Sequence, residues 1–184
     1  MNPEISCPIC KSIEIEFQDH YTHDNEIFKG MTRQKCFSCD LHFAYPMPLE
    51  SSLNKYNISY HQSAHGGQER NLKLQGFFSG ISRTRLNLIN QSIKLDSKKN
   101  YTVLEIGPGP GAFASIWLEQ FPKTKYFAIE TDTSCYEALQ KMNIKLLEEK
   151  EMINYIASFD IIIISHVLEH VSNPVKFLKP IITY

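Results

Sequence analysis

Val103-Leu-Glu-Ile-Gly-Pro-Gly-Pro-Gly-Ala-Phe113 decides the fold of this chain. An apolar run enters a loop with glycine at Gly107, Gly109 and Gly111. A helical pattern follows at once, with Phe113, Ile116, Trp117 and Phe121 on one face. A strand, a glycine-rich turn and a helix in that order form the nucleotide-cofactor turn of open α/β sheets.

Outward from this turn the pattern alternates. Lys125–Glu130 reads as a second strand, followed by a helix containing Tyr136, Leu139 and Met142. Ile144–Leu147 reads as a short third strand. Phe159–Ser165 is continuously apolar after Asp160, the mark of a strand buried on both faces. Asn173-Pro174 caps and starts a last helix with Val175, Leu178 and Ile181, which Pro180 is expected to bend or end. Upstream, Phe78, Ile81, Leu88 and Ile89 predict a helix over 72–94. The fold class is therefore α/β, a doubly wound parallel sheet of about four strands. Such sheets commonly have six or seven strands, and the fourth would stand here as an apolar edge. The expectation is a chain that forms the N-terminal part of a longer protein.

The 184 residues are 42% hydrophobic, enough for one ordinary domain plus a small module. Net charge is -1, which gives no global pull toward nucleic acid or membrane. The longest apolar run, Ile161–Ile164, falls far short of the ~20 residues of a membrane helix. Met1-Asn-Pro-Glu4 lacks the basic and apolar regions of a signal peptide, so a cytoplasmic protein is expected. Three segments follow: 1–50, 51–74 and 75–184. Gly66-Gly67 marks a flexible loop in the second.

Residues 1–50 hold Cys7-Pro-Ile-Cys10 and Cys36-Phe-Ser-Cys39, separated by 25 residues. Two Cys-x-x-Cys pairs at this distance are the pattern of a four-cysteine zinc ribbon. Four thiolates suit tetrahedral Zn²⁺ and leave no open coordination position, so the site is expected to be structural. The segment carries four basic and eight acidic side chains, which argues against nucleic acid as its partner. Residues 51–100 reverse the sign, with eight basic against two acidic. Cys135 stands apart, on a predicted helix, as a small buried hydrophobe.

Spacing alone leaves two cofactor classes open. Gly107, Gly109 and Ala112 satisfy a dinucleotide fingerprint, with Glu130 as the ribose-binding acid. Three details favour S-adenosylmethionine (SAM). Pro108 and Pro110 have no N–H to offer a pyrophosphate. Glu105 is unfavourable beside a pyrophosphate but suits a ligand carrying an ammonium and a sulfonium. The fourth-strand end, Ser165-His-Val-Leu-Glu-His170, also needs a purpose.

Val103–Gly111, Glu130 and His166-Val-Leu-Glu-His-Val-Ser-Asn-Pro174 resemble class I SAM-dependent methyltransferases with a Leu-Glu-His signature after strand four. The resemblance covers about residues 75–184. It implies that Glu105 and the loop glycines contact the methionine half of SAM. It implies that Glu130 holds the ribose, and that Leu147-Glu148-Glu149 lies over the adenine. Cys36-Phe-Ser-Cys-Asp-Leu-His-Phe-Ala-Tyr-Pro46 is similar to the zinc module of a subgroup that includes sugar C-methyltransferases. That subgroup usually has Gly where this chain has Asp40, and Asp tolerates a left-handed turn. In such proteins Tyr56 and Tyr60 would approach the active site; packing of a surface helix accounts for them equally.

The expected function is methyl transfer from SAM to a small-molecule acceptor, such as a sugar or nucleotide sugar. His166, at the carboxyl end of the fourth strand, is the candidate base. His166, Glu169 and His170 could instead hold a divalent metal, as a variant of a Glu-x-x-Glu-His motif. The competing expectations are a non-catalytic or truncated SAM-fold module and an NAD-dependent oxidoreductase.

Overall fold

A computed structural model describes residues 5–60, 73–148, 150–151 and 158–182. The Gly66-Gly67 loop and Glu149 lie outside the described residues. The chain forms two compact units, Met1–Lys55 with His170–Tyr184, and Tyr56–Glu169. Among the described residues no helix is long and apolar enough to cross a membrane.

In the first unit β1 (Ile15–His20), β2 (Thr32–Cys36) and β3 (His42–Tyr45) form an antiparallel sheet in that order. Ile15 faces Cys36 across the sheet and Phe17 faces Gln34, after which the register shifts before Asp19. Helix α1 (Glu50–Asn57) follows and buries Leu53. The last described helix, Pro174–Ile182, is capped as its sequence predicts: Asn173 Oδ1 accepts the Lys176 N–H at 2.9 Å. Pro180 does not end it. The missing proline N–H forfeits one bond close to the terminus, and the helix runs on to Ile182.

In the second unit α2 (Gln75–Ile93) precedes the alternation β4 (Thr102–Ile106), α3 (Ala112–Gln120), β5 (Lys125–Ile129), α4 (Tyr136–Lys141), β6 (Lys145–Leu146) and β7 (Ile161–Ile164). All sheet pairings are parallel and the order is β6-β5-β4-β7. The α/β sheet is thus the one the sequence predicts, with the first strand of the alternation at its centre. Trp117 is fully buried among Tyr101, Phe113 and Phe121, and its Nε1–H donates to Thr124 Oγ1 at 2.9 Å. A tyrosine or tryptophan polar atom needs such a partner when buried.

Two expectations change. The all-isoleucine strand β7 is not buried on both faces: only Ile163 is buried, and among the described residues β7 pairs with β4 alone. Strand β6 shrinks to two residues, since the Ile144 N–H turns back to the Leu139 carbonyl.

The glycine turn is built by packing on one side and left open on the other. Gly111 has φ +83°, and a Cβ there would strike the Met142 methyl and stand 2.9 Å from Leu139 Cδ2. Gly107, at φ +70°, would meet Val167 Cγ2 at 2.6 Å. Gly109, at φ +56°, would meet nothing within 4 Å. Alanine at Gly111 therefore combines left-handed strain with overpacking, about 2–4 kcal/mol, whereas alanine at Gly109 carries the strain alone, about 1 kcal/mol. Urea unfolding should show Gly111→Ala losing at least twice the stability that Gly109→Ala loses; equal losses would contradict this packing.

Glu105 is 4% exposed at the centre of the sheet, and the Tyr126 hydroxyl donates to its Oε2 at 2.7 Å. Burial pushes its carboxyl up to about 7, against the opposing pull of the Tyr126 hydrogen bond and the Arg85 charge. A buried acid with a raised pKa favours the folded state most when protonated. Its contribution is complete below about pH 4.5 and fades as pH rises through about 7. Glu105→Gln keeps an acceptor for Tyr126 without the charge. At pH 8 it should be more stable than wild type, by on the order of 3 kcal/mol, and the gap should close as pH falls toward 5. A gap independent of pH would show that Glu105 does not titrate in this way.

Candidate functional site

The parallel register lines up Ile106 with Ile129 on one side and with Ile164 on the other. The loops after β4, β5 and β7 therefore leave the sheet side by side. From β4 the chain runs outward to β5 and β6 and then crosses back to β7 on the other side of β4, so the carboxyl ends of β4 and β7 mark the switch point where open α/β sheets form their ligand crevice.

Glu130 ties this crevice together. One carboxylate oxygen accepts the Gly109 N–H at 2.8 Å, and the other accepts the N–H groups of Thr131 and Asp132 at 2.7 and 2.8 Å. A carboxylate from the second strand of the alternation thus fastens the outermost peptide of the glycine turn. Pro108 and Pro110 flank that peptide and offer no N–H, so Gly109 is the donor at the tip. Above Gly109 the space is open. The arrangement offers an approaching ligand a carboxylate, with the one tip N–H already engaged by it, and no ring of donors for a pyrophosphate.

Asp132 is a crevice residue that sequence reasoning missed. It is 4% exposed, and its Oδ1 accepts from Ser134 N at 3.0 Å and Ser134 Oγ at 2.6 Å, capping a 3₁₀ turn over Thr133–Cys135. The Asp-x-Ser spacing is the signal that could have found it. Cys135 behind it is buried, and burial with the Glu130 and Asp132 charges pushes its thiol up to about 12. It is an inert core thiol.

The remaining predicted residues fall in different surroundings. Glu105 lies within the sheet below the loop, with Oε2 held by Tyr126. Glu148 follows β6 at the surface, its carboxylate 2.6 Å from Lys150 Nζ. His166 leaves β7 in a left-handed conformation, φ +56°, with its side chain 72% exposed and Nδ1 3.2 Å from Glu169 Oε1. His170 does not join these two in a metal-binding group. Among the described residues the four cysteines are the one cluster of His, Cys, Asp and Glu that converges as a metal site would.

In that cluster the Sγ atoms of Cys7 and Cys39 are 3.6 Å apart and those of Cys10 and Cys36 3.5 Å apart. All four lie within 4.8 Å of one another. A tetrahedron with Zn–S bonds of about 2.3 Å has edges of about 3.8 Å, so the four sulfurs fit a zinc ion. Each pair sits in the same turn. The Lys11 N–H returns to the Cys7 carbonyl at 3.1 Å, and the Asp40 N–H to the Cys36 carbonyl at 2.9 Å. Lys11 and Asp40 are both left-handed, φ +63° and +59°, so Asp40 does adopt the conformation usual for glycine. Burial disfavours the Cys7 thiolate, but the N–H groups of Cys10 and Ile9 and the neighbouring thiols outweigh it and bring Cys7 down to about 7.

The model of a family described as methyltransferase domain matches residues 77–184. No curated protein matches the chain. Among solved structures, the plantazolicin methyltransferase BpumL in complex with a monoazolic desmethylPZN analog and SAH is 19% identical. The match covers 73% of this chain and 55% of that one, with a TM-score of 0.47. Coclaurine N-methyltransferase bound to N-methylheliamine and SAH is 18% identical, with a TM-score of 0.43 over 54% of this chain and 31% of that one. The chain thus spans between a third and somewhat over half of the solved proteins it resembles. The glycine turn, Glu130 and the end of β7 all fall inside the matched segment, which takes in more than half of the sequence, and on that match the chain belongs to the methyltransferase domain family.

Proposed function

We propose that the crevice binds SAM and that the protein methylates a small-molecule acceptor, a sugar or nucleotide sugar being the class its zinc-module resemblance favours. The observation that carries the reading is the Glu130 carboxylate at the tip of a proline-flanked glycine turn. SAM supplies an activated methyl group on a sulfonium; the protein supplies orientation and a carboxylate-rich surround. Glu130 is the ribose acid. Gly107, Gly109 and Gly111 form the turn assigned to the ligand, with Gly109 the one open to its approach, and Glu105 lies beneath the loop, where a cation would favour its charged form. Glu148 is assigned to the adenine end and His166, exposed beyond β7, to proton removal from the acceptor.

In the same reading residues 1–50 are a zinc ribbon in which Cys7, Cys10, Cys36 and Cys39 hold structural Zn²⁺. Residues 51–74 are a linker or helical cap, and residues 75–184 are the cofactor domain. The setting is cytoplasmic.

Calorimetry of this chain with SAM should show one saturable site and no saturable heat with NAD. Glu130→Ala removes a charge-assisted hydrogen-bond acceptor, and should weaken SAM binding about 10- to 100-fold. Saturable NAD binding without SAM binding would overturn the assignment. Elemental analysis of protein purified without chelator should find about one zinc per chain, falling below about half in Cys36→Ser. Less than half an equivalent in the wild type would count against a filled four-thiolate site.

A further inference from the structure

The cysteine module carries a groove that neither metal binding nor methyl transfer explains. It is open, about 620 Å³, and its lining includes Ile13, Ile15, Phe17, Thr32, Gln34 and Tyr45. Cross-strand register explains how these residues meet. Phe17 faces Gln34 and Thr32 faces Tyr45, so all four project from one face of the sheet, with Ile15 in line beside Cys36. Ile13 is 63% exposed and Phe17 52% exposed at its rim, an unusual outlay of large apolar surface for a small module.

Gln34 breaks the pattern of that face. It sits on the central strand between two aromatic cross-strand neighbours, Phe17 and Phe43, where alternation calls for an apolar side chain. It is 4% exposed. Its Nε2 donates to Thr32 Oγ1 at 2.7 Å, and that hydroxyl in turn donates to the Tyr45 carbonyl at 2.7 Å. This relay fixes the amide orientation, because the threonine proton is already committed and its oxygen must accept. Gln34 Oε1 accepts no hydrogen bond from the described residues. A buried acceptor without a donor costs stability, and such a departure from local pattern is expected where a site binds something.

We propose that this groove is a binding site for a neutral, largely apolar small molecule that donates one hydrogen bond to Gln34 Oε1. Among the described residues the lining contains no charged side chain, which selects a neutral ligand. The volume lies in the range of small-molecule pockets rather than of a bound water. The apolar side chains of Ile13, Ile15 and Phe17 supply area, and the oriented Gln34 acceptor supplies direction.

Indole and 1-methylindole test this, since they share a shape and differ in one N–H donor. Both are titrated into the full chain while the Gln34 side-chain amide and the Ile13 and Ile15 methyls are followed by NMR. Indole should move all three signals saturably and bind about three- to tenfold more tightly than 1-methylindole, the worth of one hydrogen bond. Gln34→Leu should abolish that preference with zinc content unchanged. Ile13→Ala, at an exposed position, should weaken both probes alike. Equal binding of the two probes to the wild type, or shifts outside the groove alone, would overturn the proposal. So would methyl shifts that depend on protein concentration without probe, which would mean that a second copy covers the groove.

Discussion

Strand β4 is the constraint on which the cofactor unit depends. It is hydrogen-bonded on both sides, to β5 and to β7, and its parallel register decides which residues reach the carboxyl end together. A slip of one residue would turn Glu105 to the other face of the sheet, away from Tyr126, and carry Gly107 away from Val167. The turn after β4 must then reverse within five residues, from Gly107 to Gly111, while α3 packs on the sheet. Three left-handed residues achieve this, two of them pressed against neighbouring side chains and the third free toward solvent. The open side of the turn is therefore a product of packing on its closed side.

Charge gives that open side its character. The loop tip offers a single amide donor, and that donor is engaged by Glu130. A second carboxyl, Glu105, is buried below, where desolvation holds its affinity for the proton near neutrality. The crevice is thus poorly suited to a dianion and well suited to a cation. The cysteine module follows a related logic: four sulfurs within 4.8 Å are a sensible arrangement when a cation compensates them.

Much of this was legible in the sequence because local pattern and global fold agree there. The β4 turn and β5 lie within a residue of where apolar periodicity puts them, and the Asn173 cap is where Asn-Pro predicts it. The paired cysteines gather as their spacing implies. The misses are nonlocal. That Tyr126 holds Glu105, twenty-one residues away, and that Glu130 fastens Gly109 depend on strand register rather than on neighbouring residues. The partial exposure of β7 depends on what lies beside it, which composition does not encode. Gln34 carries no local signal, and its oddity appears only when three strands are set side by side.

The Gly109–Glu130 contact gives the most direct test of the central claim. Amide NMR of the chain with rising SAM reports on the Gly109, Thr131 and Asp132 N–H groups that the Glu130 carboxylate holds. Saturable shifts are expected at these three amides and at Gly107, with β1–β3 unchanged. Saturating SAM that leaves all four amides in place would contradict it.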